Sequence, residues 1–263
     1  MKDEMPRIAR ALLTLLLVVA LPAPPAEALH PRFEELTGDE LVRAVGRLAA
    51  YGQAPLSYGE LWAALEETDA DPSNPDNVIL FYSGRSHPKW DKVSDALNPG
   101  NFTPHSWNRE HVWPRSKGFR DTSDLAHNDL HHIRATDAWC NEQRGNLDFD
   151  EGGERLPICQ AHLSATSFEP RDAVKGDVAR MMFYMDVRYH GQRGLVDLRL
   201  VDEVDTRGTR LGRLCTLLRW HAADPVDDVE RRRHERIVAI QGNRNPFIDR
   251  PQLAERIYGD RCP

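Results

Sequence analysis

Three side chains set the chemistry open to this chain: Glu110, His111 and Asn141. The first two sit in the run Asn108-Arg109-Glu110-His111-Val112-Trp113-Pro114. The third follows a second polar run, Asp129-Leu130-His131-His132-Ile133-Arg134-Ala135-Thr136. A carboxylate and a carboxamide are hard oxygen donors, suited to a magnesium ion that keeps several of its waters and accepts few protein groups. A histidine is the natural general base, because its ordinary pKa of roughly 6.5 leaves much of it neutral near pH 7. Cation and base together answer the two obstacles to phosphodiester hydrolysis, the repelled water and the poor leaving oxygen. On a regular strand Glu110 and His111 would point to opposite faces, so sharing one site asks the backbone to depart from strand geometry near Pro114. The same region is dense in imidazoles, with His105, His111, His127, His131 and His132. With Asp129 these could instead make a zinc site, and spacing alone leaves that alternative open.

The elements that must position these groups can be read from periodicity and punctuation. Residues 40–51 read as an amphipathic helix, and Ser57 as the cap of a second one carrying Leu61, Ala64 and Leu65. The turn formers of residues 69–77 read as a loop, followed by a buried strand at 78–82. Around the polar runs the expectation is a strand, an irregular loop over 114–129, a second strand over 130–135, and a helix capped by Thr136 and ended by Gly145. Residues 148–157 read as a loop. Residues 173–189 form a strong helix whose Val174, Val178, Met181, Met182 and Met185 make one stripe of core filling. Two further helices are expected over 211–221 and 226–240, with Pro225 in the first turn of the second. The charged run 230–236 reads as a solvated helix face.

Hydrophobic residues make up 40% of the 263 residues and charged ones 29%, the balance of an ordinary globular protein with a sizeable core. The first 28 residues read as an export signal: Lys2, Arg7 and Arg10, an apolar stretch from Ala11 to Leu21, then Ala26-Glu27-Ala28. That apolar stretch is short for a membrane span of about 20 residues, and no other could cross, so no membrane anchor is expected after cleavage. Cys140, Cys159, Cys215 and Cys262 all lie beyond the signal and predict two disulfides. The shortest separations favour Cys140–Cys159 and Cys215–Cys262. The net charge of −7 is not that of a tight, stationary nucleic-acid binder. It is compatible with an enzyme that releases its product and brings a cation to the phosphate.

The polar runs, with Asn141-Glu-Gln-Arg-Gly-Asn146, closely resemble the bacterial endonuclease I family of secreted or periplasmic nucleases. The likeness extends to Glu60-Leu-Trp-Ala-Ala-Leu-Glu66, Tyr82-Ser-Gly-Arg85 and Lys175-Gly-Asp-Val-Ala-Arg-Met-Met-Phe-Tyr-Met185. It continues in Asp224-Pro-Val-Asp-Asp228 and Gln241-Gly-Asn-Arg-Asn-Pro-Phe-Ile-Asp249, and so covers nearly all of the chain beyond the signal. The resemblance implies one α+β, mostly helical domain over residues 29–263 with an embedded ββα-metal (His-Me finger) motif. It implies Glu110 and Asn141 as ligands of Mg2+ (Ca2+ or Mn2+ as alternatives) and His111 as the general base. It implies cleavage of DNA and also RNA to 5′-phosphate ends. An arginine steadying the phosphate is also implied. The loop that carries it in other members is short here, which leaves Arg115, Arg120 and Arg144 as candidates. Asp129, His131 and His132 would brace the site, and a monomer is expected. Two further readings stand beside this one: a non-catalytic zinc-stabilised or nucleic-acid-binding envelope protein, and a metallophosphodiesterase acting on small diesters.

Overall fold

The computed structural model describes residues 35–94 and 106–262. The expected export signal, His105 and most of the loop before it lie outside the described residues. At the centre is a helix, α4 (Lys175–Arg188), that is buried on every side. The methionine stripe is core as expected: Met181, Met182 and Met185 are all inside, with Phe183, Tyr184 and Val187. Around α4 pack α1 (Gly38–Ala50), α5 (Leu214–Ala223), α7 (Pro246–Asp249) and α8 (Leu253–Tyr258). Gly46 of α1 lets that helix come close, because a Cβ there would stand 2.4 Å from the Val187 carbonyl oxygen. Only glycine lets these two helices come so near.

A second apolar cluster lies under the polar runs. Trp107, Ile133 and Ala135 from β4 (Trp107–His111) and β5 (Ile133–Asp137) meet Leu61 and Leu65 of α2 (Leu61–Thr68). Ile237 of α6 (Asp228–Gln241) closes it from behind. Strands β4 and β5 form an antiparallel pair with Arg109 opposite Ala135 and Glu110 opposite Arg134. They lead directly into α3 (Ala138–Arg144). The remaining strands make a three-stranded sheet over residues 70–88, a four-stranded one over 148–169 and a two-stranded one over 199–211. The fold is thus a mixed α+β domain with eight helices, several small sheets and no closed barrel among the described residues. None of these helices is long and apolar enough to cross a membrane.

Both disulfides form with the expected pairing, Cys140–Cys159 and Cys215–Cys262. Several local expectations are corrected. The turn formers at 69–77 build a hairpin, because Asp71 and Asn74 side chains accept from the Ser73 and Asp76 amides and turn one strand into the next. Residues 129–132 are a turn, and the second strand starts at Ile133. Thr136 belongs to that strand instead of capping α3; its hydroxyl faces the Tyr82 amide at 3.5 Å, while Arg85 pairs with Asp137 at 2.7 Å. Pro225 lies ahead of α6, whose cap is Asp227, accepting from the Glu230 amide at 2.8 Å. The charged run on α6 is not a solvated face throughout. Glu230, Arg233 and His234 are buried, with Arg180 paired to Glu230 at 2.7 Å and Arg233 to Asp69 at 3.1 Å. Burying a charge is tolerable only with a partner, and these have one.

Candidate functional site

The antiparallel pair and the helix that follows it bring Glu110, His111 and Asn141 to one open cleft of about 220 Å³. Asn108, Arg109, Arg115, Glu142 and Asn146 share its lining. Pairing between β4 and β5 stays in register through His111, so no backbone departure brings Glu110 and His111 together. The cleft instead wraps the end of the strand and takes groups from both of its faces.

Glu110 is almost wholly buried, with a relative exposure of 2%. Its Oε1 accepts the Tyr82 hydroxyl at 2.6 Å and Arg144 Nη1 at 3.2 Å. Burial pushes its carboxyl pKa up to about 7, although Arg144 and the Tyr82 hydroxyl both favour the anion. Arg144, a candidate for phosphate contact, is completely buried beneath Glu110. It also donates to the His111 carbonyl at 3.0 Å and the Val112 carbonyl at 2.6 Å. A guanidinium so engaged holds Glu110 and the strand end in place and does not face the cleft.

His111 is set by its neighbours. Its Nε2 lies 2.9 Å from the His127 carbonyl oxygen. A carbonyl can only accept, so Nε2 carries the proton and Nδ1 keeps the lone pair. Burial first, and then the His132 and His127 imidazoles, hold the His111 pKa well below the usual histidine value, so the ring is a neutral base near pH 7. Tyr58 and Phe119 rings enclose it, with centroids at 6.0 and 6.4 Å.

Asn141 rides on α3. Seven residues is well short of the roughly 12–15 at which a helix becomes marginally stable alone. Three anchors hold α3 instead: the Cys140–Cys159 disulfide, the buried Arg144, and Gly145 ending the helix at a φ of 54°. The Asn141 amide nitrogen donates to Asn108 Oδ1 at 2.9 Å and more loosely to the Arg109 carbonyl at 3.4 Å. That orientation leaves Oδ1 as the atom available to a ligand.

Asp129, His131 and His132 lie behind the cleft. Asp129 is inaccessible and accepts five hydrogen bonds: from Gln53 (3.0 Å), Tyr184 and Tyr189 (2.7 Å each), Gln241 (2.8 Å) and the His131 amide (3.0 Å). His131 Nε2 donates to the Asn243 carbonyl at 3.2 Å and His132 Nε2 to the Ala126 carbonyl at 2.8 Å. Asp129 is saturated by these donors, and both histidines spend Nε2 on backbone carbonyls. Among the described residues no three His, Cys, Asp or Glu side chains are arranged to hold a metal. Arg120 is exposed and outside the cleft lining, whereas Arg115 is exposed on its wall. Tyr82 is the participant the sequence did not single out. Its sequence signals were a polar ring ending an apolar run and its place at the head of the Tyr82-Ser-Gly-Arg85 motif.

A strand pair and a short helix thus gather a carboxylate, a carboxamide and a neutral imidazole in one cleft, groups suited to hydrolysis. Comparison with known proteins places it: the pattern of the endonuclease I family matches residues 44–252, and the chain belongs to that family. It is therefore one of the enzymes that hydrolyse phosphodiester bonds of nucleic acid. The chain is similar to the extracellular ribonuclease of Bacillus subtilis (strain 168), 45% identical over 249 residues that span 92% of this chain and 83% of the relative. It is also similar to the extracellular ribonuclease of Bacillus amyloliquefaciens, 43% identical over 243 residues, 91% of this chain and 81% of the relative.

Proposed function

We propose that this is an exported, divalent-ion-dependent endonuclease that cuts DNA and RNA without base specificity and leaves 5′-phosphate ends. The observation that carries the reading is the cleft holding a neutral His111 with a defined basic atom beside Glu110 and Asn141. RNA is included because both relatives are named extracellular ribonucleases, and export because of the same names, the leader-like first 28 residues and the two disulfides.

The donor set fits magnesium. Two protein oxygens, a carboxylate and an amide, are few enough for an ion that retains its waters. When bound by Glu110 and Asn141, the ion neutralises phosphoryl charge and the leaving oxygen. His111 Nδ1 takes the proton of the attacking water, and its Nε2–H stays on the His127 carbonyl, which keeps the ring oriented. Arg115, exposed on the cleft wall, meets the scissile phosphate. Arg144 and Tyr82 position Glu110. Asp129, His131 and His132 brace the strand entry from behind.

The test is to incubate purified protein with supercoiled plasmid and with RNA, with and without chelator. Cleavage of both that stops on chelation and returns with magnesium supports the proposal; chelator-insensitive cleavage sinks the ion dependence. Tyr82→Phe removes a hydrogen bond to a buried carboxylate. The magnesium concentration giving half-maximal activity should then rise by about tenfold or more, with the melting temperature lowered by only a few degrees. An unshifted magnesium dependence would show that Tyr82 does not position Glu110.

A further inference from the structure

Outside the cleft, a file of aromatic rings and cations runs away from the catalytic histidine. The Tyr58 ring lies 6.0 Å from the His111 ring. The Arg109 guanidinium stands 3.4 Å from the Tyr58 ring centre and 4.1 Å from that of Trp62, so it is layered between them. The Lys92 ammonium follows at 5.6 Å from Trp62. Trp62 in turn meets the buried Trp107 edge-on at 5.2 Å, and the Trp107 indole donates to the Lys89 carbonyl. Next to Lys89 in the chain is Trp90, with 78% of its surface exposed. It is the most exposed of the large hydrophobic residues described, on a side-chain type that ordinarily buries most of its area.

Two observations say what would cover this surface. Its Trp62 end is continuous with the cleft, because Arg109 both lines the cleft and packs on Trp62. And the chain carries a net charge of −7, so electrostatic capture of a polyanion is weak. Stacking of bases on aromatic faces is not opposed by net charge. It accepts any base, since every base has a π-face, but it requires bases released from pairing.

We infer that Trp62 and Trp90, with the Tyr58–Arg109 layer between them and the cleft, form a shelf on which unpaired bases of the substrate strand stack. The shelf makes single-stranded nucleic acid the preferred substrate of this enzyme. The inference rests on the nuclease reading above and adds the strand state of the substrate to it.

Binding is measured on the whole protein by fluorescence anisotropy, using labelled oligo(dT) and a labelled hairpin duplex, with chelator present so that neither probe is cut. The wild type is expected to hold oligo(dT) more tightly than the duplex. Trp90→Ala, a change at an exposed position, should weaken oligo(dT) binding about tenfold, and Trp62→Leu should do the same. Trp62→Phe, which keeps a ring against Trp107, should restore most of the affinity. Binding of the duplex should move by less than about twofold in all three. In turnover, Trp90→Ala should raise KM for single strands about tenfold with kcat near the wild-type value. Equal losses on both probes, no loss on either, or a lower kcat at unchanged KM would overturn the shelf. A wild type that binds oligo(dT) through Trp62 and Trp90 yet cuts nothing with magnesium would overturn the nuclease proposal and leave the shelf standing.

Discussion

His111→Ala is expected to lower kcat on DNA and on RNA by about a hundredfold to ten-thousandfold, the usual range for losing a positioned general base. The fold should survive. His111 is buried, but its polar contact is a bond to the His127 carbonyl, and the ring itself lines an open cleft from which water can take its place. Ion binding should also survive, because Glu110 keeps Tyr82 and Arg144, and Asn141 keeps Asn108. The discriminating measurement is therefore paired: single-turnover cleavage, and magnesium binding by calorimetry on the same preparation. A variant that retains magnesium and loses cleavage supports the assignment. One that still cuts within about tenfold of the wild type removes His111 as the base. Glu110→Gln should give the complementary pattern, losing magnesium along with cleavage.

Acidification below about pH 6.5 is expected to cost stability at two buried histidines, His131 and His132. Burial holds His131 down to a pKa of about 3, against the pull of the Asp129 carboxylate, and His132 down to about 4. Both are neutral donors to backbone carbonyls in the fold, whereas in the unfolded chain they titrate near 6.5. Their folded pKa values lie below the unfolded ones, so between the two the unfolded state binds more protons. Stability therefore rises with pH through that window and is lost as pH falls below about 6.5. At pH 5 each histidine is about 1.5 units inside the window, which at roughly 1.4 kcal/mol per unit costs about 2 kcal/mol. Asp129 works in the same sense but lower down. Burial disfavours its anion, but its neighbours more than offset this and hold its pKa below the ordinary aspartate value, so its contribution is intact above about pH 4. Together the two histidines contribute a loss of about 4 kcal/mol between pH 7.5 and pH 5, read in urea unfolding as the difference in pH dependence between the wild type and His131→Asn/His132→Asn. An equal pH dependence in the two proteins would contradict two histidines buried in the neutral form.

How far the sequence carried the structure differs between site and scaffold. The grouping of Glu110, His111 and Asn141 was legible because their residue types announce chemistry, the first two on one strand and the third on the helix that follows its partner strand. The disulfide pairing was legible from separation alone. What stayed hidden was burial of polar groups. Arg144 looks in sequence like any basic residue near a helix end; only packing reveals that it lies under Glu110. Glu230, Arg233 and His234 hide in the same way, because a charged run on a helix normally faces water and the buried partners Arg180 and Asp69 come from distant segments. Thr136 misled because a threonine before a helical pattern is a good cap, and the strand claimed it for pairing with Asn108. Local propensity yields wherever a tertiary partner is worth more.

The Asp129 hub has a consequence for when this enzyme can first act. Its donors come from Gln53 near one end of the chain, Tyr184 and Tyr189 in the middle, and Gln241 near the other. Gln241 also accepts the Leu130 amide on its side-chain oxygen, at the entry to the strand that faces Glu110 and His111. A chain still emerging from the ribosome or threading through a membrane pore, and stopped short of Gln241, has every proposed catalytic residue in hand but no back wall to hold them. Cutting power would then arrive in one step at the end of synthesis and passage, leaving the producing cell's own nucleic acid untouched by half-made copies.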